Sequence, residues 1–206
     1  MIAVLTADLI HSSAQPVTQW MPQLKRFLSG LGQEPADWEI YRGDEFQVRL
    51  PYPIALEKAI ALKALVRSWP GMDVRIGLGL GEEEYRADRI AESNGPAYHY
   101  SGRVFGTLRE QKLRMQVASH CHMADRSLNL LLKFALHIMD QWSQVSAEIV
   151  ALALDAPEAS QKELAEGLGI RQSAVSQRMS RARLDLILEL LEYYRKDYLK
   201  YLEACS

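Results

Sequence analysis

With 206 residues, 48% apolar and 24% charged, the chain is long enough for one medium domain or two small ones, each able to close a core. A net charge of −2 gives no global pull toward nucleic acid or a membrane surface, so either partner must be argued from a local patch. No apolar run approaches the roughly 20 residues that cross a bilayer, which argues against a membrane partner; two distant cysteines and an N-terminus without a basic leader lead to the expectation of a reducing, cytoplasmic setting.

Ile2–Ile10 (IAVLTADLI) is a near-continuous apolar run rich in β-branched residues, the pattern of a strand buried on both faces. Asp8 interrupts it near its end. A carboxylate there is costly to bury unless a cation or donor compensates it, or unless it already lies beyond the sheet and caps the turn through His11, Ser12 and Ser13. Residues 16–30 repeat apolar positions at helical spacing, from Val17 through Trp20, Leu24 and Leu28, and end at Gly30.

Two short strands follow, Trp38–Tyr41 and Phe46–Leu50, separated by Arg42, Gly43, Asp44 and Glu45. Gly43 allows a tight turn, and the paired carboxylates are hard oxygen ligands suited to Mg²⁺ or Mn²⁺; the same residues also suit a hairpin whose polar tip faces water. A second amphipathic helix spans 54–69 and a further strand 72–80, in which Gly77 and Gly79 admit the close approach of a neighbour or ligand. The pattern then predicts a short helix over 86–91, a helix beginning near Tyr98, and an edge strand over 113–119. The order β-α-β-β-α-β is that of a ferredoxin-like palm, an α+β fold with an antiparallel sheet covered by helices on one face, and it sets Asp8 beside Asp44 and Glu45.

From Met123 the character changes. Leu128, Leu132, Leu136 and Met139 mark a long connecting helix, giving a palm domain over 1–122, a connector over 123–143 and an all-α domain over 144–206. Within the last, Ser160 and Glu163 form a capping box, Leu164, Ala165 and Leu168 are apolar, Gly169 turns the chain, and 172–183 continues as a helix. This is the pattern of a helix-turn-helix, or of a helical hairpin used for packing or dimerisation. Gln172, Ser173, Ser176, Gln177 and Arg181 point outward and are of types that contact base edges or phosphates of double-stranded DNA, and Arg171 and Arg178 join them as candidate DNA contacts. Residues 171–183 hold four arginines and no acid, whereas 144–206 holds eight basic against ten acidic residues, so the positive charge is confined to one helix. The last segment, 184–202, carries more apolar surface than a three-helix unit covers, so a homodimer is expected.

Asp8-Leu9-Ile10, Gly43-Asp44-Glu45-Phe46, the run Val74–Gly81, and Gly95-Pro96-Ala97 followed by Arg103 occur in an order that resembles the nucleotide-cyclase-like palm of class III cyclases, GGDEF diguanylate cyclases and CRISPR polymerases. With the helix-turn-helix pattern appended, nearly the whole chain resembles the bacterial SatD family. The resemblance implies that Asp8, Asp44 and Glu45 hold Mg²⁺ or Mn²⁺ against a nucleoside triphosphate or related nucleotide. It also implies that Arg103, with His99 where those cyclases have an Asn, steadies the transferring phosphoryl group. Arg42 stands where a GGDEF turn has its first Gly. Two functions follow as expectations. One is a DNA-binding transcriptional regulator with a metal- or nucleotide-binding sensor domain; the other is an active metal-dependent nucleotidyl cyclase or cyclic oligonucleotide synthetase.

Overall fold

The apolar and β-branched run at the N-terminus forms β1 (Ile2–Ile10), the central strand of a five-stranded sheet in the computed structural model, which describes residues 1–205. The sheet order is β2 (Trp38–Arg42), β3 (Glu45–Leu50), β1, β4 (Asp73–Gly81), β5 (Met115–Ala118). β1 runs antiparallel to both β3 and β4, and β5 joins the edge parallel to β4. The protein is therefore α+β with a mixed sheet.

Side-chain alternation divides the sheet into two faces. Ala3, Leu5, Ala7 and Leu9 of β1, Phe46, Val48 and Leu50 of β3, and Val74, Ile76, Leu78 and Leu80 of β4 enter one large core. The helices α1 (Val17–Ser29) and α2 (Ala55–Ser68) contribute Trp20, Leu24, Leu28, Leu56 and Ile60 to that core. The expectation of helices on one face is corrected by α3 (Pro96–Leu108), which lies on the other. It is admitted there because β4 presents Gly77, Gly79 and Gly81, and a Cβ on Gly79 would meet the carbonyl oxygen of Ala97 at 2.1 Å. The close neighbour foreseen at these glycines is a helix of the same chain.

Residues 86–91 are not a helix. Tyr85 bridges to Asn94, only Ile90–Glu92 makes a 3-10 turn, and the segment is tied to the sheet edge by ion pairs from Arg86 to Asp37 and from Arg89 to Glu39. Ion pairs and the burial of Ile90 replace the helical hydrogen bonds that the local pattern had suggested.

The second half continues as α4 (His122–Met139), α5 (Gln144–Asp155), α6 (Gln161–Leu168), α7 (Gln172–Ala182) and α8 (Leu184–Tyr193). A π-turn over Tyr194–Tyr198 leads into α9 (Leu199–Ala204). One apolar core runs from Ala3 to Leu202 across the boundary at 122–143. The fully buried Lys63 of α2 pairs with Asp73 at 2.9 Å and Asp140 at 2.6 Å, so a single ammonium joins α2, the start of β4 and the end of α4. The surplus apolar surface of the last helices, read as a sign of a dimer, is largely used inside the chain. Tyr194 and Tyr198 stack at 5.4 Å in the main core, Tyr194 donates to the carbonyl of Tyr52 and Tyr198 to Asp125. Cys121 and Cys205, distant in sequence, are bonded to each other, which removes the argument from cysteine usage for a reducing compartment. No helix among the described residues is long and apolar enough to cross a membrane.

Candidate functional sites on the open sheet face and the α7 helix

The face of the sheet away from the main core is covered by α3 over β4, β5 and part of β1, and by the segment through Ile90 toward β2 and β3, and it carries polar side chains on β2, β3 and β1. β3 alternates along its length, turning Phe46, Val48 and Leu50 inward and Glu45, Gln47 and Arg49 toward this face. A chain of hydrogen bonds crosses four strands. Tyr41 donates to Gln47 at 2.8 Å, Gln47 to Thr6 Oγ1 at 3.1 Å, Thr6 and Ser101 share a bond of 2.6 Å, and Ser101 donates to the carbonyl of Gly77 at 3.0 Å. Beside it Arg49 grips Glu83 through two nitrogens at 2.8 and 2.9 Å, and Tyr98 donates to Glu83 Oε1 at 2.8 Å. The sequence reading gave Thr6, Gln47, Arg49, Glu83 and Ser101 no role, although the strict polar–apolar alternation of Glu45–Leu50 marks the face.

Burial would raise the Glu83 carboxyl, but the hydrogen bonds from Arg49 and Tyr98 prevail and hold it below the ordinary carboxylate range. Burial, then the bond to Glu83, pushes the Tyr98 phenol up to about 12. A folded-state value above the unfolded value of about 10 means that the unfolded chain binds fewer protons between those two pH values. The stability from Tyr98 is therefore complete below pH 10 and is lost on the way to about 12. Urea midpoints measured against pH should fall through this window, and Tyr98→Phe should flatten the fall.

At the end of β1 the three carboxylates singled out above do converge. Asp8 pairs across the ladder with Glu45, and Leu9 N donates to the Asp44 carbonyl at 3.0 Å, because the hairpin turns at Gly43 with a left-handed φ of 66°. What stands among them is a cation from the chain. Asp8 also lies opposite Arg75 of β4, whose Nε donates to Oδ1 at 2.8 Å and whose Nη2 donates to Oδ2. That hydrogen bond, with the charges of Asp8, Asp44 and Glu45 added, raises the guanidinium further above its usual range. Asp44 Oδ2 accepts from Ser12 at 2.7 Å, and Glu45 is exposed. Among the described residues no three His, Cys, Asp or Glu are arranged to hold a metal ion. With both oxygens of Asp8 engaged by Arg75, the corner does not fit Mg²⁺ or Mn²⁺ as the resemblance implies. His99 and Arg103 are exposed on α3, Arg103 over the Tyr100 ring at 5.4 Å; among the described residues neither bonds to the three carboxylates.

The second candidate is α7. The capping box closes as expected, with Ser160 N donating to Glu163 at 2.7 Å and Glu163 N to Ser160 Oγ at 3.3 Å. Gly169 ends α6 in the left-handed conformation with φ 65°, and Ile170 N returns to the Ala165 carbonyl at 3.0 Å. α5, α6 and α7 share a small core of Ile149, Leu164, Ala165 and Val175. Gln172, Ser173, Ser176, Gln177 and Arg181 are exposed along α7, and Arg171 is exposed at its N-cap. Arg178 is corrected: it is half-buried and donates to Glu148 of α5 at 3.1 Å, so it braces the unit. Arg183 pairs with Asp185, leaving Arg171 and Arg181 as the α7 arginines without an ion pair among the described residues.

Compared with family models, with curated proteins and with solved structures, the chain matches none.

Proposed function

We propose that the chain is a DNA-binding regulator in which α6 and α7 act as a helix-turn-helix and the open polar sheet face, read as the surface of a palm domain, is the sensor for a small polar ligand of the nucleotide class. The observation that carries this reading is α7. It is an acid-free helix with Arg171 at its N-cap and Arg181 in its last turn outside any ion pair among the described residues, with five amide or hydroxyl side chains exposed along it, raised on its own small core. For the sensor face, support comes from the strand order that sets β1 beside the hairpin, and from the row of hydrogen-bonding side chains Tyr41, Gln47 and Thr6 that crosses it.

Fluorescence anisotropy with duplex DNA tests the reading. Binding is expected at low salt and to weaken as salt rises, each neutralised phosphate adding about 0.9 to the slope of log K against log salt. Arg181→Ala, removing one such contact, should lower that slope by about one and weaken all sequences alike. Absence of binding to any duplex at low salt would overturn it. The alternative, an active nucleotidyl cyclase or synthetase, draws on the convergence of Asp8, Asp44 and Glu45. It requires turnover of a nucleoside triphosphate with Mg²⁺ or Mn²⁺, and loss of that turnover in Asp44→Ala.

A further inference from the structure

Five of the ten large apolar side chains exposed on the described surface sit on two helical stretches that lie against each other: Met123, Leu130, Leu131 and Phe134 of α4, and Tyr201 of α9. That concentration separates this face from the scattered apolar residues normal on a protein surface. Between α4 and α8 runs a groove lined by Leu131, Phe134 and Ile138 of α4 and by Leu186, Leu190 and Tyr193 of α8. Leu131, Phe134 and Ile138 follow spacings of three and four, the pattern of a helix that meets another helix along a seam. Phe134 is 68% exposed, beside the groove instead of filling it.

The charges on the two helices are opposite in sign. Arg126 and Lys133 are exposed on α4, and Glu189 stands at the groove rim on α8; none of the three has an ion pair among the described residues. The neighbouring acids Asp185 and Glu192 are already paired with Arg183 and Lys196. A surface that carries both a protruding aromatic with a basic residue next to it and an apolar groove with an acidic residue on its rim is complementary to itself under a two-fold axis.

We infer that this face joins two copies of the chain, α4 of each protomer lying in the groove of its partner. Phe134 enters the partner's groove between Leu190 and Tyr193, Lys133 meets the partner's Glu189, and each contact occurs twice. The interface differs from one built on the buried stripe of residues 194–202, and it forms whether or not α7 contacts DNA.

Sedimentation equilibrium of the full chain from about 1 to about 100 µM tests this directly. The expected result is a species of twice the 23.4 kDa chain mass. Phe134→Glu should leave a monomer with an unchanged circular dichroism spectrum and urea midpoint. Lys133→Glu should weaken the dimer about tenfold or more, and the double variant Lys133→Glu, Glu189→Lys should restore it. A wild type that stays monomeric through the range, a dimer that survives Phe134→Glu, or a charge swap without recovery would each overturn the assignment. A monomer that instead sediments with zwitterionic lipid vesicles would assign the face to a membrane surface.

Discussion

Gly79→Ala is expected to unseat α3 and to cost the fold about 3 kcal/mol or more, the upper end of what one added carbon does in a closed site. The new Cβ would lie 2.1 Å from the Ala97 carbonyl oxygen and 2.4 Å from the Ser101 amide nitrogen. Both are backbone atoms, so no rotamer change relieves the clash; the helix must lift from the sheet. Lifting it also breaks the bonds of Ser101 to Thr6 and to the Gly77 carbonyl, and exposes Val4 and Ala97. Gly102→Ala and Gly106→Ala, on the same helix, supply the control. A Cβ at either meets nothing within 4 Å, so replacing a helical glycine should stabilise by about 0.5–1 kcal/mol. Urea unfolding of the three variants reads the contrast. Equal midpoints for all three would mean that α3 is not held against β4 by close backbone approach.

Arg75→Ala is expected to raise the affinity of the Asp8 corner for divalent cations above that of the native protein. Three carboxylates against one guanidinium leave the corner at −2; without the guanidinium it stands at −3, and both Asp8 oxygens become free to ligate. The substitution also leaves a carboxylate only 13% exposed without its partner, at a cost of about 2–3 kcal/mol, less than for a fully enclosed pair because some solvent remains. The two effects separate in a thermal melt with and without Mn²⁺. The variant should start lower and regain stability as Mn²⁺ is added, whereas the native protein should respond less. A native protein that binds Mn²⁺ as tightly as the variant would show that Arg75 swings away, and would move the balance toward the catalytic alternative.

The sheet was largely legible because it follows from period-two alternation and turn residues. β1, the hairpin and β4 lie where the apolar runs place them, and Asp8 does lie beside Glu45. Arg75 as the cation of that corner was not legible, since its position opposite Asp8 depends on the register of two strands 67 residues apart. Thr6 was concealed by the run it sits in: a lone hydroxyl among β-branched neighbours reads as β propensity until Gln47 and Ser101 are found beside it. On α7 the outward face could be read from helical spacing, but the commitment of Arg178 to Glu148 depends on how α5 crosses it. Residues 86–91 were misread because their ties are ion pairs to Glu39 of β2 and to Asp37 just before it, which no local pattern records.

The interlocking of the two ends has a consequence for how the protein is made. Residues 1–122 are made before residues 194–202, yet the core they begin is completed by Tyr194, Tyr198 and Leu202, and Tyr52 waits for Tyr194 to fill its carbonyl. A nascent chain halted anywhere between residues 122 and 194 therefore displays part of its apolar interior to solvent or to a chaperone, and native closure waits until residues 194–202 have been made.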